Sequence, residues 1–235
     1  MTEEFVASIV IPAYNEGPEI VPGLLRLIDA NKIPSRILVV VDRKEDSTIP
    51  FVDQVSRIHA RVTCLVSELP PGPANAIKYG VSKSNESVVV VTMADGCDDP
   101  KQVDELIRLV LRGVAVAAAS RYMPGGQQVG GPRVKKFLSK IAGKSLHLLA
   151  NVGTRDATNS FKAYSREFLD QVSIESQFGF EMGLELTAKA NRLRLPIAEI
   201  PTIWLDRTFG QSNFKLAKWI PKYMHWYFHA FGKEK

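Results

Sequence analysis

An α/β fold built on a largely parallel sheet, with helices on both faces, is predicted by three observations. Short apolar runs rich in β-branched residues alternate with longer amphipathic segments through the first half of the chain, the order expected of β-α-β units. One run, Val88-Val89-Val90-Val91, shows no polar alternation, which suits a strand buried on both faces. The connections are short and carry Pro, Gly, Asn and Asp, as turns between strands and helices do.

Taken in order, residues 5–11 read as the first strand and residues 12–17 as a polar loop. Residues 18–30 read as a helix with Ile20, Leu24, Leu27 and Ile28 on one face. Residues 37–41 form the second strand, 42–47 a charged loop, 48–59 the second helix and 62–66 the third strand. Pro70-Pro71-Gly72-Pro73 is a rigid turn that starts a helix near Ala74. Residues 87–93 are the fourth strand, 100–112 an amphipathic helix and 114–119 the fifth strand. In the second half, Gly125-Gly126 and Gly130-Gly131-Pro132 punctuate a loop before a basic helix over 133–150. A strand over 159–164, a helix over 180–191 and a strand over 197–204 follow. No linker divides the chain. Residues 1–213 are expected to form one domain, and 214–235 a basic, aromatic, amphipathic tail.

The chain has 235 residues, 45% hydrophobic and 23% charged, an ordinary balance for a globular protein. The two cysteines, Cys64 and Cys97, lie in or just after apolar runs, which favours a reducing compartment over a disulfide framework. The acidic N-terminus runs straight into a strand and does not read as a signal peptide. No apolar run approaches the roughly 20 residues that span a bilayer. The expected location is therefore cytoplasmic, soluble or peripheral at the cytoplasmic membrane face. Net charge is +5, and it is unevenly spread: no acid occurs between Glu105 and Asp156, a stretch that holds Arg121, Arg133, Lys135, Lys136, Lys140 and Lys144. Such asymmetry attracts anionic partners. The absence of a G-x-G-x-x-G after the first strand and of a G-x-x-x-x-G-K-[ST] anywhere excludes the usual dinucleotide and P-loop sites.

The chemistry concentrates at strand ends. The valine run delivers Asp95, Asp98 and Asp99 to one edge of the sheet, where ligands of open α/β sheets bind. Carboxylates there suit a hard divalent cation shared with a diphosphate. One of Asp98 and Asp99 also suits a cap on the helix that opens at Pro100. Pro12-Ala13-Tyr14-Asn15-Glu16 follows the first strand and Asp42 ends the second. Asn15 and Asp46 have alternative readings as helix caps. Three acid-bearing loops converging on one edge carry more weight than any one of them.

The order P-A-Y-N-E, V-V-V-D-R-K-E-D and V-T-M-A-D-G-C-D-D-P resembles the family-2 inverting glycosyltransferases of GT-A fold. Ser120-Arg121-Tyr122-Met123-Pro124-Gly125-Gly126, Arg155-Asp156-Ala157-Thr158-Asn159-Ser160-Phe161-Lys162, Glu199-Ile200-Pro201 and the stretch 206–213 look like the polyprenyl-phosphate branch, whose best-known members are the dolichol-phosphate mannose synthases. The resemblance implies a donor site of Pro12, Ala13, Tyr14, Glu16, Asp42, Ala94, Asp95 and Arg207. It implies Arg121, Arg133 and Ser139 for the acceptor phosphate, and Asp156 at the reaction centre. Catalytic roles would fall to Asp95, Asp156, Arg121 and Arg207. A divalent cation, Mg2+ or Mn2+, would sit on Asp95, with Asp98 as a second candidate ligand.

The chain departs from that pattern in three places. Met93 replaces the first acid of D-x-D, Cys97 replaces a frequent amide ligand, and Asn213 replaces a lysine after Gly-x-Ser. The implied activity is sugar transfer from a nucleotide-sugar to a polyprenyl (dolichyl or undecaprenyl) phosphate. The rivals are a GT-A enzyme with a non-lipid acceptor, a non-catalytic nucleotide-sugar binder and, on charge alone, a nucleic-acid module, which the acidic strand ends disfavour. A membrane surface is the expected partner. A membrane-anchoring partner or a homo-oligomer stays open. Trp219, Trp226 and Tyr227 of the tail read either as interfacial anchors or as a helix packed on the domain.

Overall fold

The computed structural model describes residues 4–177, 179–206 and 216–232, the last segment by backbone alone over 216–219. Seven strands form the main sheet: β1 (Ala7–Ala13), β2 (Ser35–Val41), β3 (Val62–Val66), β4 (Val88–Val91), β5 (Val116–Ser120), β7 (Lys162–Ser165) and β8 (Ile197–Pro201). Their spatial order is β3-β2-β1-β4-β7-β5-β8. All neighbours pair parallel except β7, which runs antiparallel to both β4 and β5. A second, two-stranded sheet pairs β6 (Gln127–Val129) with β9 (Ile203–Leu205).

The strand period of two sorts the core into two layers. Ile9, Ile11, Ile37, Val39, Val88 and Val90 face α1 (Ile20–Ala30), α2 (Ile49–Ile58) and α4 (Val103–Leu111). Val10, Leu38, Val40, Val89 and Val91 face α3 (Pro73–Ser82), α6 (Arg166–Gln171) and α7 (Met182–Arg192). All four valines of β4 are buried, as an inner strand with two covered faces requires. Because β7 runs backwards, its start lies at the same edge as the ends of β1, β2, β4 and β5. That reversal brings the 156–161 loop to the edge where Asp42 and Asp95 lie.

Several elements differ from the sequence expectation, each for a local reason. The strand expected over 87–93 stops at Val91, since the Met93 amide and the Thr92 hydroxyl donate to Asp98 instead of continuing the ladder. The strand expected over 197–204 breaks at Thr202, whose amide donates to Ser120 and whose carbonyl accepts from Gln127. The chain thereby leaves one sheet and enters the other. The strand expected from 159 begins at Lys162, because Asn159 turns back on Asp156 and its side chain donates to the Ala119 carbonyl. Neither β6 nor α6 was expected.

The tail does not lie apart from the domain. In α8 (Leu216–His229), Trp226 is buried, and it joins Leu146 of α5 (Arg133–Leu149), Val152, Ala157, and Leu184 and Ala188 of α7 in a third apolar cluster. The Tyr227 hydroxyl meets Ser145 of α5 at 2.9 Å. Of the two readings for Trp226 and Tyr227, packing on the domain is the one observed. No described helix is long and apolar enough to cross a membrane.

Helix α5 seats through Gly143. A methyl there would fall on the Arg155 carbonyl oxygen and lie 2.9 Å from its carbon. Gly to Ala inside a helix normally stabilises by about 1 kcal/mol. At Gly143 the sign is expected to reverse, with Gly143→Ala costing about 1–3 kcal/mol through overpacking. Urea midpoints of the two proteins check this.

Candidate active site

The loops after β1 and β2 are laced together. The Asn15 amide donates to both carboxylate oxygens of Asp46 at 3.2 and 3.0 Å, and the Glu16 amide donates to the Thr48 hydroxyl at 3.0 Å. Asn15 takes a left-handed backbone (φ 52°) and accepts from the Ser47 amide, so it staples two loops rather than capping a helix. Asp46 also accepts from the Thr48 amide. This lacing fixes Pro12 and Ala13, both buried at the end of β1, beside Tyr14, whose ring is half exposed. Asp42, just past β2, accepts from the Gly72 amide at 3.1 Å, while its other oxygen is buried without a partner among the described residues. Burial raises its carboxyl above the ordinary range. An unsatisfied buried oxygen beside an exposed tyrosine is what a nucleotide's base or ribose donor would complete.

Beyond β4, the three acids divide their work. Asp99 caps the turn at Pro100, accepting from the Lys101 amide. Asp98 accepts from Thr92 Oγ1 at 2.9 Å and from the Met93 amide at 3.2 Å. Asp95 accepts from the Cys97 amide at 3.1 Å. Burial, and then the charge of Asp95, pushes the Asp98 carboxyl up to about 7. Two carboxylates that repel one another across a loop are a donor set for a cation. Among the described residues no group of three or more His, Cys, Asp or Glu gathers as a metal site. A divalent cation on Asp95 and Asp98 would therefore draw its other ligands from water and a donor diphosphate, the usual mode for Mg2+.

On the far side of the edge lies a cationic centre. Arg121 follows β5, and its Nε and Nη2 reach the two oxygens of Asp156 at 2.7 and 2.9 Å. Its amide also donates to Asp156. Burial works against both charges, yet the pairing outweighs it, lowering the Asp156 carboxyl and raising the Arg121 guanidinium. Nη2 also donates to Ser139 of α5 at 3.3 Å. Ser139 in turn meets the Tyr122 hydroxyl at 3.0 Å and Thr158 Oγ1 at 2.7 Å. Nη1 makes no hydrogen bond among the described residues, so it is the end of the guanidinium left for a ligand. Arg133 opens α5 on an exposed turn. Arg207 lies outside the described residues.

Lys162, in the first position of β7, received no role from the sequence. It is wholly buried, and its Nζ donates to the carbonyls of Ala157, at 3.0 Å, and Asn159. It thus spans the loop that carries Asp156 and Thr158. The one sequence signal was a lysine in an apolar strand run, which a sequence cannot distinguish from an edge residue. Tyr122 and Thr158 were likewise visible only as motif members. Glu181, buried at the start of α7 with one oxygen unpaired among the described residues, gave no signal.

The mostly parallel sheet flanked by helices has the architecture of a GT-A type fold. Residues 8–173 match the model of Glycosyl transferase family 2, and the chain belongs to that family; it is a glycosyltransferase. It is 28% identical over 228 residues to the polyprenol monophosphomannose synthase of Mycolicibacterium smegmatis, covering 90% of this chain and 85% of that protein. It is 29% identical over 212 residues to the undecaprenyl-phosphate mannosyltransferase of Micrococcus luteus, covering 87% and 85%. Glucosyl-3-phosphoglycerate synthase from Mycobacterium tuberculosis, solved with Mn2+, UDP and phosphoglyceric acid, superposes with a TM-score of 0.70 at 18% identity over 98% of this chain and 80% of that one. At that identity the likeness bears on the fold.

Burial pushes the Lys162 ammonium down to about 7 despite the nearby Asp156. A neutral amine still has two N–H donors for its two carbonyls. The folded value lies below the unfolded one, so the folded state binds fewer protons between about pH 7 and 10.5. The cost of burying this group is full below that window and is relieved as pH rises through it. The stability difference between wild type and Lys162→Met should therefore grow in favour of wild type from pH 7 to pH 9, by at most about 1.4 kcal/mol per unit. Urea denaturation at stepped pH checks the slope.

Proposed function

We propose that this glycosyltransferase moves a hexose from a nucleotide-sugar to the phosphate of a polyprenyl carrier. The observation that carries the reading is the Arg121 guanidinium. It is gripped from behind by Asp156, steadied by Ser139, and left with Nη1 for an anion at the edge where the acid pair lies. The names of the two polyprenyl-phosphate relatives support the same reading. Arg121, Arg133 and Ser139 receive the acceptor phosphate, guanidinium being suited to phosphate oxygens. Pro12, Ala13, Tyr14, Glu16, Asp42 and Ala94 cradle the donor nucleotide, and Asp95 and Arg207 approach its diphosphate.

A phosphate oxygen attacks the anomeric carbon as the bond from that carbon to the diphosphate oxygen breaks. The nucleotide diphosphate leaves with the electron pair, and the configuration inverts. The acceptor is already ionised at neutral pH, so no proton needs removing. Asp156, held as a carboxylate by Arg121, positions that guanidinium and is not a general base. Asp95 and Asp98 would hold a divalent cation, which would neutralise charge on the leaving diphosphate. The carrier's lipid puts the reaction at a membrane surface, on the cytoplasmic face where nucleotide-sugars are made.

The test is transfer of labelled sugar from a panel of GDP-, UDP- and dTDP-sugars to undecaprenyl or dolichyl phosphate, read as butanol-extractable label. Lipid product that vanishes on EDTA treatment and returns with Mg2+ or Mn2+ is expected. Label found only on soluble phosphorylated acids would move the chain to a non-lipid acceptor. Asp95→Ala should lower transfer on the order of 10²-fold, the scale of removing one charge-stabilising group. Asp98→Asn should raise the metal concentration for half-maximal rate about tenfold. Unchanged metal dependence in Asp98→Asn would leave Asp98 as a cap on the strand end only.

A further inference from the structure

Two carboxylate oxygens are buried without a hydrogen-bond partner among the described residues, one on Asp42 and one, Oε2, on Glu181. The other buried acids are satisfied. Asp46 accepts from the Asn15 and Thr48 amides, and Asp104 from Asn31 and the Lys32 amide. Asp156 is held by Arg121, and Glu185 by Lys189 and the Glu175 and Ser176 amides. Asp42 belongs to the donor site. Glu181, only 2% exposed, has no part in the chemistry described so far. A buried carboxylate oxygen left bare is costly, so it calls for a donor that arrives with a ligand or as water.

Glu181 stands at the carboxyl edge of the sheet. Helix α7 leads into β8, which runs parallel to β5. The helix therefore descends away from the carboxyl edge, and its first residues lie where β5 ends in Ser120. A methyl on Gly183 would lie 3.0 Å from the Asn159 carbonyl oxygen and 3.5 Å from Ser160 Cα. The first turn of α7 thus presses on the loop that carries Asp156 and Thr158. From α8, burial and then the Glu181 charge raise the Tyr223 phenol, while Arg121 pulls it back. Tyr223 is within electrostatic reach of both groups. A local role does not account for Glu181: although it precedes α7, its side chain makes no cap hydrogen bond. Burial raises its carboxyl against the pull of its own amide and of Lys222.

The order of groups along the edge says which part of a donor comes near. Across the sheet, Asp42 follows β2, Tyr14 follows β1, Asp95 and Asp98 follow β4, the 156–161 loop precedes β7, and Arg121 follows β5. Neighbouring strands lie about 4.8 Å apart. A nucleotide-sugar with its base at Asp42 and its diphosphate at the acid pair carries its sugar one strand further, over the 156–161 loop and short of Arg121. The chemistry of Glu181 fits that moiety and no other on the path. The donor diphosphate and the acceptor phosphate are anions, which a carboxylate repels. A cation finds no group of three acidic, His or Cys ligands among the described residues. A hexose is neutral and brings hydroxyl donors.

We propose that Glu181 is a sugar-recognition residue whose Oε2 accepts a hydrogen bond from a hydroxyl of the transferred hexose. A donor lacking that hydroxyl leaves the oxygen bare, so the site discriminates against the deoxy sugar. Glu181 moves no proton in this role. It fixes the sugar ring between the leaving diphosphate and the Arg121 guanidinium. The inference rests on the donor half of the reading above and not on the acceptor being a lipid.

Calorimetric titration of the whole chain in Mn2+ tests it, with GDP against GDP-mannose and UDP against UDP-glucose as probes. For whichever pair wild type binds, Glu181→Ala should weaken the nucleotide-sugar about 10–100-fold and leave the nucleoside diphosphate within about twofold. Retained diphosphate binding shows that the variant folds. Glu181→Gln, which keeps one acceptor oxygen, should lose less. Among the 2-, 3-, 4- and 6-deoxy forms of the bound sugar, wild type should bind one about 10–100-fold more weakly than the parent, and Glu181→Ala should no longer distinguish that one. Equal loss of diphosphate and nucleotide-sugar in both variants makes Glu181 structural and overturns the inference. So does full nucleotide-sugar affinity in Glu181→Ala, as expected if water alone serves Oε2. A wild-type deoxy series with no weakened member overturns it whatever the variants do. Wild type that binds no nucleotide at all would sink the donor reading itself, and this inference with it.

Discussion

The Arg121–Asp156 pair is the interaction on which the rest of the site depends. Three hydrogen bonds join the two residues, one of them from the Arg121 backbone. Asp156 is wholly buried, and Arg121 is nearly so. Removing one partner of such a pair typically costs about 3–5 kcal/mol, because the other charge stays buried and unpaired. The pair also sets direction. A guanidinium held through Nε and one Nη can offer only its remaining edge, so an anion meeting it would have a defined position. Ser139 from α5 and Thr158 from the 156–161 loop close the ring around it. Strand β5, helix α5 and the approach to β7 are thus tied at one point.

The reversed strand makes this possible. With β7 parallel to its neighbours, the loop before it would emerge at the opposite edge, and Asp156 would lie a strand length from Arg121. Running antiparallel between β4 and β5, β7 begins at the carboxyl edge and delivers Asp156 there. Lys162 then holds the loop by two of its carbonyls from beneath. A lysine in that place is tolerated because its Nζ donates to both carbonyls whether or not it carries the third proton, while burial favours the neutral amine.

The parts of this architecture legible in the sequence were those governed by local pattern. Strands β1 to β5 and helices α1 to α5 announce themselves by periodicity and by turn residues, and the acids at strand ends by type and position. What was not legible depends on tertiary pairing. Nothing in Lys162-Ala163-Tyr164-Ser165 states which way the strand runs. Thr202 does not announce that the chain changes sheets there. Trp226 and Tyr227 read equally as anchors and as core, and only the packing of Trp226 against α5 and α7 and the contact of Tyr227 with Ser145 decide for them. Asp98 and Asp99 both suited a cap in the sequence, and only Asp98 was also a candidate metal ligand. In the fold, one turns back on Thr92 and Met93 while the other caps the next turn.

The loss of an acid at Met93 acquires a physical reading from the same geometry. An acid there would stand immediately after Thr92, where its carboxylate would add to those of Asp95 and Asp98 on one short loop. Asp98 already resists ionising next to Asp95. A third carboxylate would deepen that conflict in the cation-free protein, leaving it for a bound cation to relieve. With Met93, the loop keeps two carboxylates, and the Met93 amide serves as a donor that holds Asp98 in place. The charge a cation there would balance is smaller, and more of its shell would fall to donor phosphates. A cation on such a loop would depend on donor phosphates to complete its shell, so metal and nucleotide-sugar would be expected to bind together.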